Sequence, residues 1–517
     1  VSEPAENAPG PDAPSPSSAG SHREILRSTS IIGAASVINI LLGIVRVKVL
    51  AVLVGPAGVG LMGLLSRVMT TAATLAGMGL GHSGVRQIAA ADGPEALARV
   101  RRALWLGSLA LGVLGMTLLW LLREPLARWV FDDTTHAADV GWLGIGVFFS
   151  LVSASQTALL QGLRRIGDLA RVSILGAFIG STIGVVLVWQ LGLSGIVWML
   201  LVVPTASALF AALLVARLPR PAASALRLAE LWPEWRPLFS LGLAVMAATL
   251  VTGLTQLLVR SQVTDALGLD ATGHFEAAWS LSMNYIGFVL AAMAADYYPR
   301  LTAAIGDPTV ANRLVNEQAE VALLLAAPVL VGIVTFAPFV THLLYSSAFE
   351  PTIHVLRLQV IGDVFKVASW PMGFILLARG NNRLYFLTEL AWNAIYFAGV
   401  SVLLPVIGLE ATGIAFIAAY VAYLVVVYLA VVKLNGFRPR PRTVKFLTMT
   451  FAMTLIVASL TRVDANAAQW LGLVLTLATS FVSLRRLLEL LELGGKVGRL
   501  EAILSRLQRL MVRGPRR

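Results

Sequence analysis

Runs of about twenty predominantly apolar residues recur along almost the whole chain, and that recurrence constrains the fold more than any single motif. A run of this length crosses a bilayer as a helix, whereas a membrane β-strand needs only about ten residues. In hydrocarbon the backbone must satisfy its own polar groups, which leaves helices or closed barrels as spanning structures. Such runs fall near 29–54, 61–82, 102–122, 140–162, 172–190, 195–216, 238–262, 274–295, 318–341, 354–378, 384–404, 411–432, 444–461 and 467–484. The expectation is an all-α, polytopic membrane protein of about 14 transmembrane helices. With 57% hydrophobic and 13% charged residues, an ordinary soluble protein is excluded. The net charge of +12 then belongs to loops, and no nucleic acid is expected as a partner. Cysteine is absent, and none of the six histidines pairs at the i, i+4 spacing of a zinc site. No metal or organic cofactor is expected.

The basic residues set an orientation. With the N-terminus inside, inner segments carry 31 of the 40 lysines and arginines, outer loops carry Arg123, Arg128, Arg260 and Arg462, and five lie within spans. This asymmetry places both termini on the cytoplasmic side of the membrane. Residues 1–22, rich in Pro, Ala and Ser and lacking a signal-peptide pattern, read as a disordered cytoplasmic tail. Residues 23–217 form an N-terminal six-helix lobe, and 238–433 a C-terminal one. Between them, 218–237 is a proline-punctuated linker. Residues 434–484 add two helices, and 485–517 make a basic amphipathic tail suited to the anionic inner leaflet. The lobes echo one another weakly: Leu159-Leu160-Gln161-Gly162-Leu163-Arg164 with Leu376-Leu377-Ala378-Arg379, and Gly192-Leu193-Ser194-Gly195-Ile196 with Gly408-Leu409-Glu410-Ala411-Thr412-Gly413-Ile414. Two parallel lobes around a central cavity are the expected arrangement.

Ionisable residues at membrane depth are expensive and so mark candidate sites. Arg46, Lys48 and Arg67 lie in the outer halves of the first two spans. Span seven bears a polar stripe, Thr249, Thr252, Gly253, Gln256 and Arg260; hydrogen-bonded helix packing is its blander explanation, and Arg260 at the outer end fits snorkelling. Span ten carries Arg357, Asp363 and Lys366, the last two i, i+3 on one face near mid-membrane. That pair reads either as a structural salt bridge or as one that exchanges partners with an anionic substrate or a coupling ion. Glu389 and Asn393 in span eleven and Asn284 in span eight add polarity consistent with a wet cavity between lobes.

Several of these stretches resemble a known family. Lys48 with Leu50-Ala51, Gly55-Pro56-Ala57-Gly58-Val59-Gly60-Leu61 and Leu75-Ala76-Gly77-Met78-Gly79 resemble the opening helices of bacterial O-antigen and enterobacterial common antigen flippases. These belong to the multidrug/oligosaccharidyl-lipid/polysaccharide (MOP) exporter superfamily. The likeness continues at Gly162-Leu163-Arg164, Tyr298-Pro299-Arg300-Leu301, Ile361-Gly362-Asp363-Val364-Phe365-Lys366-Val367, Gly373, Arg383-Leu384-Tyr385-Phe386 and Glu389, and covers about residues 28–433. It implies transport of undecaprenyl-pyrophosphate-linked sugar repeats through a cation-rich cavity, with Lys48, Arg164, Arg300, Asp363, Lys366 and Glu389 as positions carried over. A coupling ion, proton or sodium, is left open. Polysaccharide polymerase and chain-length proteins are candidate partners beside the glycan lipid and the bilayer. Asn284 departs from the acidic residue expected in close relatives, and the last two spans lie outside the likeness. A drug antiporter of the same superfamily is the first alternative. A membrane glycosyltransferase or polymerase is disfavoured, because the largest outer loop, 123–139, is too short for a catalytic domain.

Overall fold

The computed structural model describes residues 16–218 and 232–490. It is built from α1 (Pro16–Gly77), α2 (Leu80–Ala89), α3 (Gly93–Leu121), α4 (Arg123–Phe131), α5 (Ala137–Gly162), α6 (Ile166–Leu191), α7 (Gly195–Ala216), α8 (Trp232–Ala304), α9 (Pro308–Leu344), α10 (Thr352–Ala378), α11 (Asn382–Ile407), α12 (Glu410–Asn435), α13 (Pro441–Leu460) and α14 (Ala465–Leu490). No strand occurs among the described residues. Ten helical stretches there are long and apolar enough to cross a membrane, and two of them, 34–77 and 166–216, each hold two of the expected spans. The long α8 covers the seventh and eighth. The protein is an all-α, multi-pass membrane protein.

Two glycines convert long helices into hairpins. Gly55 (φ +63°, ψ −166°) folds α1, and Gly268 (φ +86°, ψ 174°) folds α8. Both backbone conformations are ones that L side chains rarely adopt, and Pro56 follows the first with no N–H to satisfy. The two bends pack together. A Cβ on Gly273 would overlap the Pro56 carbonyl, and one on Gly60 would overlap the Leu269 carbonyl.

Helix α1 begins at Pro16, inside the segment expected to be disordered, while residues 1–15 lie outside the described residues. Most of the inter-lobe linker (219–231) and of the basic tail (491–517) also lie outside them. The second expected span, 61–82, stops at Gly77, because Met78 (φ +45°) and Gly79 (φ +71°) break the helix before α2. The outer loop 123–139 contains the short helix α4.

The two echoed turns share their backbone hydrogen bonds, with one echo in a different register. After α5, Arg164 N–H donates to Gln161 O and Arg165 N–H to Leu160 O. After α10, Gly380 N–H donates to Leu377 O and Asn381 N–H to Leu376 O. Both are helix stops with a left-handed residue, Arg164 (φ +55°) and Gly380 (φ +68°). Arg164 therefore corresponds to Gly380 and not to Arg379. Gly192 and Gly408, both at φ +61°, close the next helix of each repeat.

The described residues divide into two compact units. One takes the residues up to Val47, Met69–Arg123 and Ala138–Ala247; the other takes Lys48–Val68, Glu124–Ala137 and the residues from Ala248 onward. This division does not follow the linker. Residues 48–68 join the second unit because its glycines admit close packing and because Lys48 Nζ donates to the carbonyls of His342 (2.9 Å) and Tyr345 at the end of α9. The core of the second unit is a continuous apolar cluster drawn from α8 to α13. Helices α13 and α14 pack on α9, where Gly472 admits Thr335 and Arg486 reaches the buried Glu320 at 3.2 Å.

Candidate functional site in the second unit

Within the second unit, α1 beyond its bend, both arms of α8, and α10, α11 and α12 surround a cavity of about 380 Å³. Its charged lining is Arg67, Lys366 and Glu389, two cations and one carboxylate. Thr252, Gln256 and Ser369 add neutral polar groups, and Trp279, Trp370, Phe374, Trp392, Tyr385, Tyr420 and Tyr423 give the wall a large aromatic share. The helical period explains the set. Gln256 lies one turn beyond Thr252, Ser369 stands i+3 from Lys366, and Glu389 is i+4 from Tyr385, so each helix turns one stripe to the cavity.

Lys366 directs its ammonium to the soft sulfur of Met283 (3.0 Å) and toward the Tyr420 ring (5.7 Å to the centroid). Asp363, one turn earlier and fully buried, accepts a hydrogen bond from Ser282 at 2.6 Å. Glu389 accepts from the Tyr423 hydroxyl at 2.8 Å, and its backbone carbonyl accepts from Asn393 at 2.9 Å. The site is thus only partly saturated by strong charged partners. Soft and π contacts hold the ammonium, which leaves it able to exchange them for an anion at modest cost.

Gln256 joins the cavity to a second charged cluster. Arg260, fully buried, donates to Gln256 Oε1 (2.7 Å) and Gln256 O (3.0 Å), pairs with Glu276 at 2.6 Å, and lies over the rings of Phe275 and Trp279. Gly63 opposite has no side chain, and a Cβ there would press on Glu276. Arg260 is therefore an interior ion-pair residue and does not snorkel to the surface.

The remaining sequence candidates are dispersed. Arg46 belongs to the first unit, and its Nε is buried with no hydrogen-bond partner among the described residues. Lys48 caps α9. Arg164 occupies the turn after α5 in the first unit. Arg300 is exposed near the end of α8, and Asn284 is exposed and donates to Ser280 at 3.1 Å. Arg67, Gln256, Lys366 and Glu389 line one cavity, with Asp363 one turn from Lys366. Sequence reasoning passed over Glu276, Met283 and the aromatic wall. An acid next to an outer loop looks solvated, and Trp or Tyr in a span looks like ordinary lipid-facing or packing surface.

A multi-pass helical membrane protein with a charged, aromatic-walled cavity inside its helix bundle has the make-up of a membrane transporter. The sequence profile of a family described as polysaccharide biosynthesis protein matches residues 49–354, more than half of the chain. The chain belongs to that family. It is similar to the lipid III flippases of Escherichia coli (strain K12) and Shigella flexneri, each 23% identical over 401 residues, which cover 75% of this chain and 94% of the relative. Among solved structures it shares the fold of the lipid II flippase MurJ in an inward closed conformation, with a TM-score of 0.67, 13% identity, and coverage of 88% of this chain and 99% of that one. It also shares the fold of an inward-facing multidrug resistance MATE family transporter of the MOP superfamily, with a TM-score of 0.66, 18% identity, and coverage of 77% and 96%.

Proposed function

We propose that this protein is a flippase that carries polyprenyl-pyrophosphate-linked oligosaccharide, of the O-antigen or a related surface-polysaccharide type, from the cytoplasmic to the periplasmic leaflet. The observation that carries the reading is the cavity in which Arg67 and Lys366 meet Glu389 and an aromatic wall inside membrane helices. A pyrophosphate with attached sugars crosses lipid only at a prohibitive desolvation cost. Two cations replace part of the lost hydration of the anion, and indole and phenol faces suit the apolar faces of sugar rings. A match that covers 94% of the length of lipid III flippases supports the same substrate class.

In this reading Lys366 and Arg67 attract the diphosphate, while Glu389 and Asp363 balance the empty site and offer a carboxylate to a proton or sodium ion. Release requires several partial contacts instead of one tight clamp. Arg46, Lys48, Arg164, Gln256, Asn284 and Arg300 are secondary candidates along the translocation path. The protein acts as a carrier and performs no covalent step. The likeness to lipid III flippases supports an inner-membrane location, and the basic inner segments support cytoplasmic termini. Polysaccharide polymerase and chain-length proteins are the proposed neighbours.

The test is leaflet exchange of the native lipid-linked glycan in liposomes containing the purified protein under an imposed ion gradient. Exchange above that of empty liposomes is expected. No increase with correctly folded protein refutes the proposal, and export of cationic dyes in its place indicates the antiporter alternative.

A further inference from the structure

The first unit contains a cavity of its own, about 520 Å³, that the flippase reading leaves unused. It lies where α2, the N-terminal part of α3 and the C-terminal ends of α5 and α7 converge. The charge distribution along the chain assigns those helix ends to the cytoplasmic leaflet. Seven of the twelve residues lining it are aliphatic, which makes it a poor site for a free, fully hydrated ion. Ile88, Leu104 and Leu159 belong at once to this lining and to the packed core of the unit, so the apolar wall is rigid.

Three polar features break that wall. Arg101 and Arg102, both half-buried, line it side by side. Trp105, one turn further along α3, is 49% exposed, an indole placed as at a headgroup boundary. Gln156 is the most informative. Its side chain is only 8% exposed, it lines the cavity, and its Oε1 is buried with no hydrogen-bond partner among the described residues. A buried amide oxygen with no donor is unfavourable and calls for a donor brought from outside the chain.

We propose that this cavity binds an anionic glycerophospholipid of the inner leaflet whose headgroup carries hydroxyls, as in phosphatidylglycerol. The phosphodiester is held by Arg101 and Arg102, a headgroup hydroxyl donates to Gln156 Oε1, and the first acyl carbons lie against Leu104 and Leu159. Each of the three chemical features of the lining then has its counterpart in one molecule: anion, hydroxyl and hydrocarbon. The bound lipid bridges α3 to α5 and α7, so the thermal stability of the protein follows the anionic lipid content of its membrane.

The experiment uses the full chain in detergent, relipidated with phosphatidylglycerol, phosphatidic acid or phosphatidylcholine. Retained lipid is counted by native mass spectrometry, and the melting temperature is recorded in parallel. Phosphatidylglycerol is expected to be retained in preference to phosphatidylcholine and to raise the melting temperature. Arg101→Ala with Arg102→Ala should weaken retention by at least about tenfold, as expected for two cations near a phosphate, whereas the double lysine variant should keep most of it. Gln156→Leu removes the unmatched oxygen at similar volume and so keeps the fold. It should erase the preference for phosphatidylglycerol over phosphatidic acid and leave the preference for anionic lipid intact.

Equal retention of phosphatidylcholine, or wild-type retention by the double alanine variant, overturns the proposal. Displacement of phosphatidylglycerol by inorganic phosphate would make the cavity a free-anion site. Displacement by lower concentrations of undecaprenyl pyrophosphate would assign it to the carried lipid. Either outcome also overturns the proposal.

Discussion

Lys366 shows how a single charge can be both structural and available. Its partners in the cavity are a thioether and an aromatic face, neither of which neutralises an ammonium. Lys366→Ala should lower leaflet exchange by about tenfold or more, the loss expected for one charge-assisted contact to substrate, and Asp363→Asn should lower it by removing a carboxylate that balances the empty site. Membrane insertion and monodispersity should be retained. Exchange rates normalised to folded protein check this, and wild-type rates in both variants would remove the pair from the transport path. Arg260 behaves in the opposite way. It is fully buried and closed off by Glu276, Gln256 and two rings. Arg260→Ala strands the partly buried Glu276 carboxylate, whose side chain is 16% exposed, and should cost up to about 3 kcal/mol of stability. Arg260→Met combined with Glu276→Leu should recover most of the loss in a thermal melt.

At the scale of elements, the turns after α5 and α10 use the same hydrogen bonds with different residues at the left-handed position. Gly380 adopts its conformation freely, while Arg164 at φ +55° bears a cost of about 1 kcal/mol. Arg164→Gly should therefore leave stability unchanged or raise it by up to about 1 kcal/mol. A fall in transport with a raised melting temperature would assign the guanidinium a role in translocation, and an unchanged rate would leave it a solvated turn residue. The two readouts move in opposite directions, so the variant separates fold from function. The bends at Gly55 and Gly268 show the same logic in the interior. Each reverses a long helix, and the missing Cβ atoms at Gly60 and Gly273 let backbone meet backbone where any side chain would intrude.

For the whole molecule, orientation is the property the sequence states most strongly. Reporter fusions after Pro219 and after Arg442 should read cytoplasmic, and fusions near Asp133 and Glu350 periplasmic, from the weight of basic residues on one side. A periplasmic signal after Pro219 would overturn the span assignment of the first half. The spans were legible because insertion depends on summed transfer free energy along about twenty residues, a quantity that one strand of sequence contains. Gly55-Pro56 and the residues around Lys366 were legible for a related reason: a turn and a buried charge are local departures from the apolar pattern.

Contacts between distant residues were not legible. Lys48 and Lys366 look alike as cations in apolar runs, yet one caps the end of α9, almost three hundred residues away, and the other faces a cavity. Glu276 reads as an acid beside an outer loop until Gly63 and Arg260 surround it. The orphaned oxygen of Gln156 is invisible in the sequence, which shows only a glutamine within an apolar helix. By itself, then, the sequence determined what enters the membrane and where the chain bends, because those follow from composition and backbone freedom summed locally. Tertiary structure alone decided which charges are locked in pairs and which line a cavity, because that depends on which helix faces meet, and a periodic pattern gives each helix a face but not its neighbour.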